Sequence, residues 1–123
     1  MNISEKALKI AEALDSKKGQ DIRIIYVADK TIISEYFVIA SASSSTLVHT
    51  LADIVEEKTA EAGYPPMRME GVSEARWVVM DFGDVLVHIF HNEEREFYQL
   101  ERLWEGEKNS IKFEDLRKEE AIK

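Results

Sequence analysis

The chain has 123 residues, a length typical of one domain with a single core. It has no cysteine, which excludes disulfides, thiolate nucleophiles and cysteine-ligated zinc. Acidic residues outnumber basic ones 24 to 16, which gives a net charge of −8. This charge disfavours binding along nucleic-acid phosphates and favours a basic protein surface as partner. Negative charge alone also keeps a protein soluble.

The first half of the chain predicts a helix, two strands and a second helix. Residues 2–18 carry apolar side chains at helical spacing, which predicts a helix. They lack a continuous apolar run, so we expect no signal or membrane segment there and a cytoplasmic protein. Residues 21–27 and 36–41 are β-branched and aromatic runs without a polar side, which indicates central strands. A serine cluster then caps a helix that ends at Gly63.

The second half predicts a short edge strand, a hairpin and a short helix. Residues 67–70 form the edge strand after a Pro-Pro break, and Asn92 can cap a helix after the hairpin. The order α-β-β-α-β-β-β-α predicts a mixed sheet with helices mainly on one face. We expect a domain over residues 1–104 and a charged tail over 105–123, either frayed helix around Phe113 and Leu116 or disordered.

The hairpin has two different faces. Gly83-Asp84 is a Gly-first turn typical of type II′ hairpins, and it pairs Val78 with Ile89. Side chains alternate along a strand, so one face is wholly apolar and must pack on helices. The other, which we call the mixed face, carries Trp77, Val79, Asp81, Leu86, His88 and Phe90. Such a mixture suits a surface that a partner covers, although Trp77 is as compatible with ordinary core as with a binding hot spot.

Catalytic and metal sites are weakly supported. Asp81-Phe82-Gly83 matches a kinase tripeptide, but the other kinase motifs are absent. Asp81 and Asp84 could hold magnesium for nucleotidyl transfer, with residues 40–46 as the loop that binds a triphosphate. That loop, however, has neither glycine nor lysine. The odd spacing of His88 and His91 directs them to opposite faces, so we expect no metal site and a partly buried His88 bonded to a neighbour such as Asp81.

Four segments resemble the ribosomal silencing factor family, also known as the Iojap family. They are residues 35–41 (EYFVIAS), Glu70-Gly71, residues 76–90 (RWVVMDFGDVLVHIF), and residues 95–101 (REFYQLE) followed by Leu103-Trp104. The similarity covers about residues 5–104. The chain departs from the family pattern at Glu35, where aspartate is common, at Ala42, where glycine is usual, and at Phe82, where tyrosine is common. The missing glycine argues against residual nucleotide binding.

The resemblance implies a nucleotidyltransferase-like α/β fold that has no catalytic activity and no cofactor. It implies binding to the large ribosomal subunit through its fourteenth protein, a basic protein at the subunit interface. The resemblance further implies that occupying this site blocks small-subunit joining and represses translation when nutrients are limited. Direct sequence-specific binding of nucleic acid is not expected.

On this reading the mixed face is the docking surface. Trp77 and Phe90 are its desolvated anchors, and Glu70, Arg76 and Asp84 lie at its rim. Two alternatives remain open at this point. One is a magnesium-dependent enzyme of nucleotidyl-transfer type, and the other is a homodimer that uses the same face on itself.

Overall fold

A computed structural model describes residues 3–106 and 108–116. Within these ranges the chain forms one six-stranded sheet and four helices. In chain order they are α1 (Glu5–Ser16), β1 (Gln20–Tyr26), β2 (Tyr36–Ala42), α2 (Ser45–Glu61), β3 (Arg68–Glu70), β4 (Trp77–Asp81), β5 (Val85–His91), α3 (Asn92–Tyr98), α4 (Leu100–Trp104) and β6 (Ser110–Lys112). No helix within the described ranges has the length and apolar character needed to span a bilayer.

The sheet is mixed, as predicted. Its order is β3-β4-β5-β2-β1-β6, with β2 and β5 parallel and the other neighbours antiparallel. β2 is buried along its whole length, which confirms its central position. Helices α1 and α2 cover one face through a core that includes Leu14, Val38, Leu51 and Val87. The fold class predicted from the sequence, a single α/β domain with helices mainly on one face, is therefore confirmed.

The hairpin register agrees with the sequence pattern. Trp77 lies opposite Phe90, Val79 opposite His88 and Asp81 opposite Leu86, so all six share one face. Gly83 has φ +86°, the left-handed conformation that a Gly-first turn requires. The N–H of Phe82 donates to the carbonyl oxygen of Val85 at 2.9 Å and closes the turn.

The helix that follows the hairpin differs from the prediction. Its N-cap is His91, whose Nδ1 accepts from the Glu93 N–H at 3.2 Å, whereas Asn92 donates its side-chain amide to the Gln20 side chain at 2.9 Å. Gln99 then adopts a left-handed conformation with φ 48° and divides the predicted helix into α3 and α4. This break directs α4 over the second face of the sheet.

The charged stretch after Trp104 was expected to be a tail, either frayed helix around Phe113 and Leu116 or disordered. Ser110–Lys112 instead forms β6, which pairs antiparallel with β1, and residues 113–116 make a helical turn. Phe113 is buried in the main core with Leu116 packed against it. The described part of this stretch therefore belongs to the domain. Its charged side chains are compatible with a strand, because an edge strand pairs through its main chain and tolerates charged side chains. Residues 107 and 117–123 of the expected tail lie outside the described residues.

Gly71 is a position where we expect the fold to reject a side chain. Its φ is +79°, and an added Cβ would lie 2.1 Å from the carbonyl oxygen of Trp77. Gly71→Ala should therefore combine about 1–2 kcal/mol of left-handed strain with a backbone clash, and lower the free energy of unfolding by more than roughly 2 kcal/mol. Gly63→Ala is the control, since Gly63 has φ +92° but nothing within 4 Å of the added Cβ. Urea unfolding of both variants checks this, and equal losses would contradict the clash.

Candidate functional site

The mixed face extends beyond the hairpin onto the edge of the sheet. Arg68 of β3 lies opposite Asp81, and Glu70 lies opposite Val79, so both β3 side chains share the face with β4. Glu70, predicted at the rim, is exposed on this edge. The face therefore combines apolar side chains near its centre with charged side chains at its border.

Part of the mixed face is covered by other residues of the chain. Phe90 joins a second buried cluster with Ile25, Val27, Phe37 and Ile39, and Leu100 and Trp104 pack against that cluster. The ring of Trp104 meets that of Phe37 edge-on at 5.1 Å. Phe90, expected as an anchor for a partner, is fully buried in the monomer. Phe90 packs against its neighbours on the mixed face and presents no surface for docking.

The remaining residues form what we call the open half of the mixed face: Trp77, Val79, Asp81 and Leu86. All four are half-buried. Trp77 is partly buried and packs against the second cluster, so its position is compatible with both of the interpretations that the sequence left open. The open half lies beside the region that α4 covers.

His88 holds Trp77 in place. The Trp77 indole N–H donates to Nδ1 of His88 at 3.1 Å, which assigns the proton of the neutral imidazole to Nε2. Nε2 is buried and has no hydrogen-bond partner among the described residues. Burial lowers the His88 pKa from 6.5 to about 4. The sequence predicted a bonded, partly buried imidazole, but its partner is Trp77 and not Asp81.

A row of aromatic rings runs from the interior of this site to solvent. The Trp77 ring lies 4.8 Å from that of Phe90 and 4.9 Å from that of Tyr98, and Tyr98 meets Phe97 edge-on at 5.0 Å. We call Phe90, Trp77, Tyr98 and Phe97 the aromatic row. The site prediction omitted Phe97 and Tyr98, although adjacent aromatic residues one helical turn after a strand were visible in the sequence.

Arg76 is at the edge of the site but is already paired. Its guanidinium donates to Glu94 at 2.6 and 3.1 Å and to Glu93 at 3.0 Å. These hydrogen bonds raise the pKa of Arg76 and lower that of Glu94. Ligand atoms of Glu93, Glu94 and His91 lie within 4.8 Å of one another, a spacing that could hold a cation. Arg76 contacts both carboxylates and compensates one of their two negative charges.

The two aspartates of the predicted metal pair have separate partners. Asp81 accepts from the Gly83 N–H at 2.8 Å and lies 3.7 Å from Arg68. Asp84 forms an ion pair at 2.8 Å with Lys6 of α1, the helix that covers the opposite face. Asp84 was predicted at the rim of the mixed face, but its carboxylate is directed to the helical side. The described structure therefore does not assemble the carboxylate pair that nucleotidyl transfer requires.

Comparisons with known proteins agree with this architecture. The sequence profile of a family described as "Ribosomal silencing factor during starvation" matches residues 1–123. A ribosomal silencing factor of Bacillus subtilis is 41% identical over 98 residues, covering 79% of this chain and 83% of the relative. A crystal structure from Chromobacterium violaceum superposes with a TM-score of 0.82 at 35% identity, covering 88% of this chain and 90% of that one. A second, from Bacillus halodurans, has a TM-score of 0.75 at 32% identity and covers 88% and 98%.

The buried histidine predicts a loss of stability in acid. In the unfolded state the imidazole of His88 binds a proton below about pH 6.5, whereas in the folded state it does so only below about pH 4. The free energy of unfolding should therefore fall progressively as the pH falls from 6.5 to about 4. The expected loss is roughly 3 kcal/mol. His88→Asn keeps a polar group beside Trp77 without titrating. Urea unfolding across this range should show a smaller dependence on pH for the variant, and equal dependence would contradict the assignment.

Proposed function

The chain belongs to the family of ribosomal silencing factors, and from this premise we propose that it binds the large ribosomal subunit through the fourteenth protein of that subunit. Its presence there prevents the small subunit from joining and represses translation in the cytoplasm when nutrients are limited. It acts by binding alone. Any likeness to nucleotidyltransferases is then one of fold, and it does not extend to chemistry.

The open half of the mixed face is the observation that carries this proposal. Its half-buried apolar groups are carried on a rigid sheet, and Trp77 among them is the residue type most often found as a binding hot spot. Glu70 on β3 borders it with an acidic side chain, and Asp81 within it is a second acid, which lies 3.7 Å from Arg68. A basic protein that places an apolar side chain against Trp77 and its lysines or arginines against these acids fits both features.

The charge of the chain supports the same partner. At −8 the protein is repelled by exposed phosphates and attracted to a basic protein, so association with the ribosome is favoured where a basic protein is exposed on its surface. Arg76 contributes little attraction of its own, because Glu93 and Glu94 already neutralise it. Glu70 and Asp81 outnumber Arg68, so the docking surface is net negative around an apolar centre.

Sedimentation with separated ribosomal subunits tests the proposal directly. The protein should co-sediment with free large subunits and not with small ones. Because ion pairs lie at the rim, affinity should fall with added salt, but with a shallower slope than that of a protein that contacts many phosphates. Binding to both subunits alike, or to neither, would overturn the proposed function.

Asp81→Asn provides a residue-level test with Asp84→Asn as its matched control. Asparagine keeps an acceptor for the Gly83 N–H and removes only the charge of Asp81. If a partner cation is buried against Asp81, affinity for the large subunit should fall by roughly 2 kcal/mol. Asp84→Asn should change it by less than about 0.5 kcal/mol, because Asp84 pairs with Lys6 on the helical side. Surface plasmon resonance with immobilised large subunits measures both, and equal effects would remove Asp81 from the interface.

A further inference from the structure

Helix α3 exposes its two aromatic residues. Phe97 is 80% exposed and Tyr98 is 50% exposed, whereas Arg95 is buried on the same short helix. Large apolar groups exposed next to each other on a small domain are typical of interaction sites. The fold does not require the Phe97 ring, since it covers almost none of the core.

Arg95 explains how α3 stays in place without burying those rings. Its guanidinium donates to the carbonyl oxygen of Gln20 and to Oγ of Ser41, each at 3.2 Å. It also lies 3.3 Å from the carboxylate of Asp21 and 3.4 Å from that of Glu101. The helix is therefore fixed to the end of the sheet by a buried cation and its acceptors, while Phe97 and Tyr98 face outward in a defined position.

The exposed rings are continuous with the open half. Tyr98 contacts both Phe97 and Trp77, so the aromatic row joins solvent-exposed Phe97 to the proposed docking surface without a gap. Trp77 and Tyr98 each contact a ring on both sides, and Phe97 contacts the ring of Tyr98. Rings that already pack on one another in the free protein lose less conformational freedom when a partner covers them than isolated rings do.

We propose that the docking surface extends from the open half along the aromatic row to Phe97, and that one basic ribosomal protein covers both. This rests on the proposed function. The charges around Phe97 favour the same kind of partner. Glu96 directly precedes Phe97, and Glu93, one helical turn before it, shares the single cation of Arg76 with Glu94, which leaves that group net negative. Net negative charge beside an aromatic ring repels phosphates and attracts lysine and arginine side chains.

Phe97→Ala is the decisive variant, because Phe97 is exposed enough that its removal should leave stability unchanged. Its dissociation constant for isolated large subunits should rise about tenfold. Leu47→Ala is the control: Leu47 is also an exposed apolar residue, but it lies on α2, which covers the opposite face. The control should bind as the wild type does. Urea unfolding of all three proteins and sedimentation equilibrium of the free proteins accompany the binding assay.

The outcomes separate this inference from the proposed function. Wild-type binding to large subunits together with unchanged binding of Phe97→Ala would overturn the extended surface and leave the proposed function intact. If Phe97→Ala changed only self-association, the aromatic row would be a contact between copies of this chain, and the inference would be wrong. If the wild type itself failed to bind large subunits, both would be overturned.

Discussion

The parallel pairing of β2 with β5 places β2 in the middle of the sheet, where all seven of its residues are buried. Both faces of the sheet must therefore be covered at this point. Helices α1 and α2, with Phe113 and Leu116, cover the first face, but on the second face α4 reaches only the cluster around Phe37 and Phe90. Within the described residues, the part over β3 and β4 stays open. The proposed docking surface thus exists because the covering segment on this face is only five residues long.

That covering segment is stabilised by apolar contacts and positioned by polar ones. Lys30 donates to the carbonyl oxygen of Trp104 at 2.9 Å, and Arg23 pairs with Glu105 at 2.7 Å. Polar contacts that are exposed or only partly buried contribute little to stability, so the apolar contacts of Leu100 and Trp104 supply most of the stabilisation of α4. The polar contacts determine where α4 lies.

Local patterns predicted the hairpin, its register and the central strands, because turn chemistry and alternation act over a few residues. The sequence failed where contacts join distant parts of the chain. Burial of Phe90 depends on α4, which reaches the second face only because Gln99 adopts a left-handed conformation. Asp84 pairs with Lys6, 78 residues away. β6 was missed because three residues in a charged stretch carry no strand pattern of their own.

The sequence was right that the six hairpin residues of the mixed face share a face, but Asp84 is directed to the helical side, and His88 and Phe90 are buried within the chain. His88 and Phe90 lie beneath Trp77, so their contribution is to fix the indole through a hydrogen bond and a ring contact. This fixing lowers the entropy lost when a partner covers Trp77. Because the His88 pKa is about 4, the imidazole is neutral throughout the neutral pH range and its Nδ1 always accepts from Trp77. Protonation of His88 therefore does not change the proposed docking surface near neutral pH.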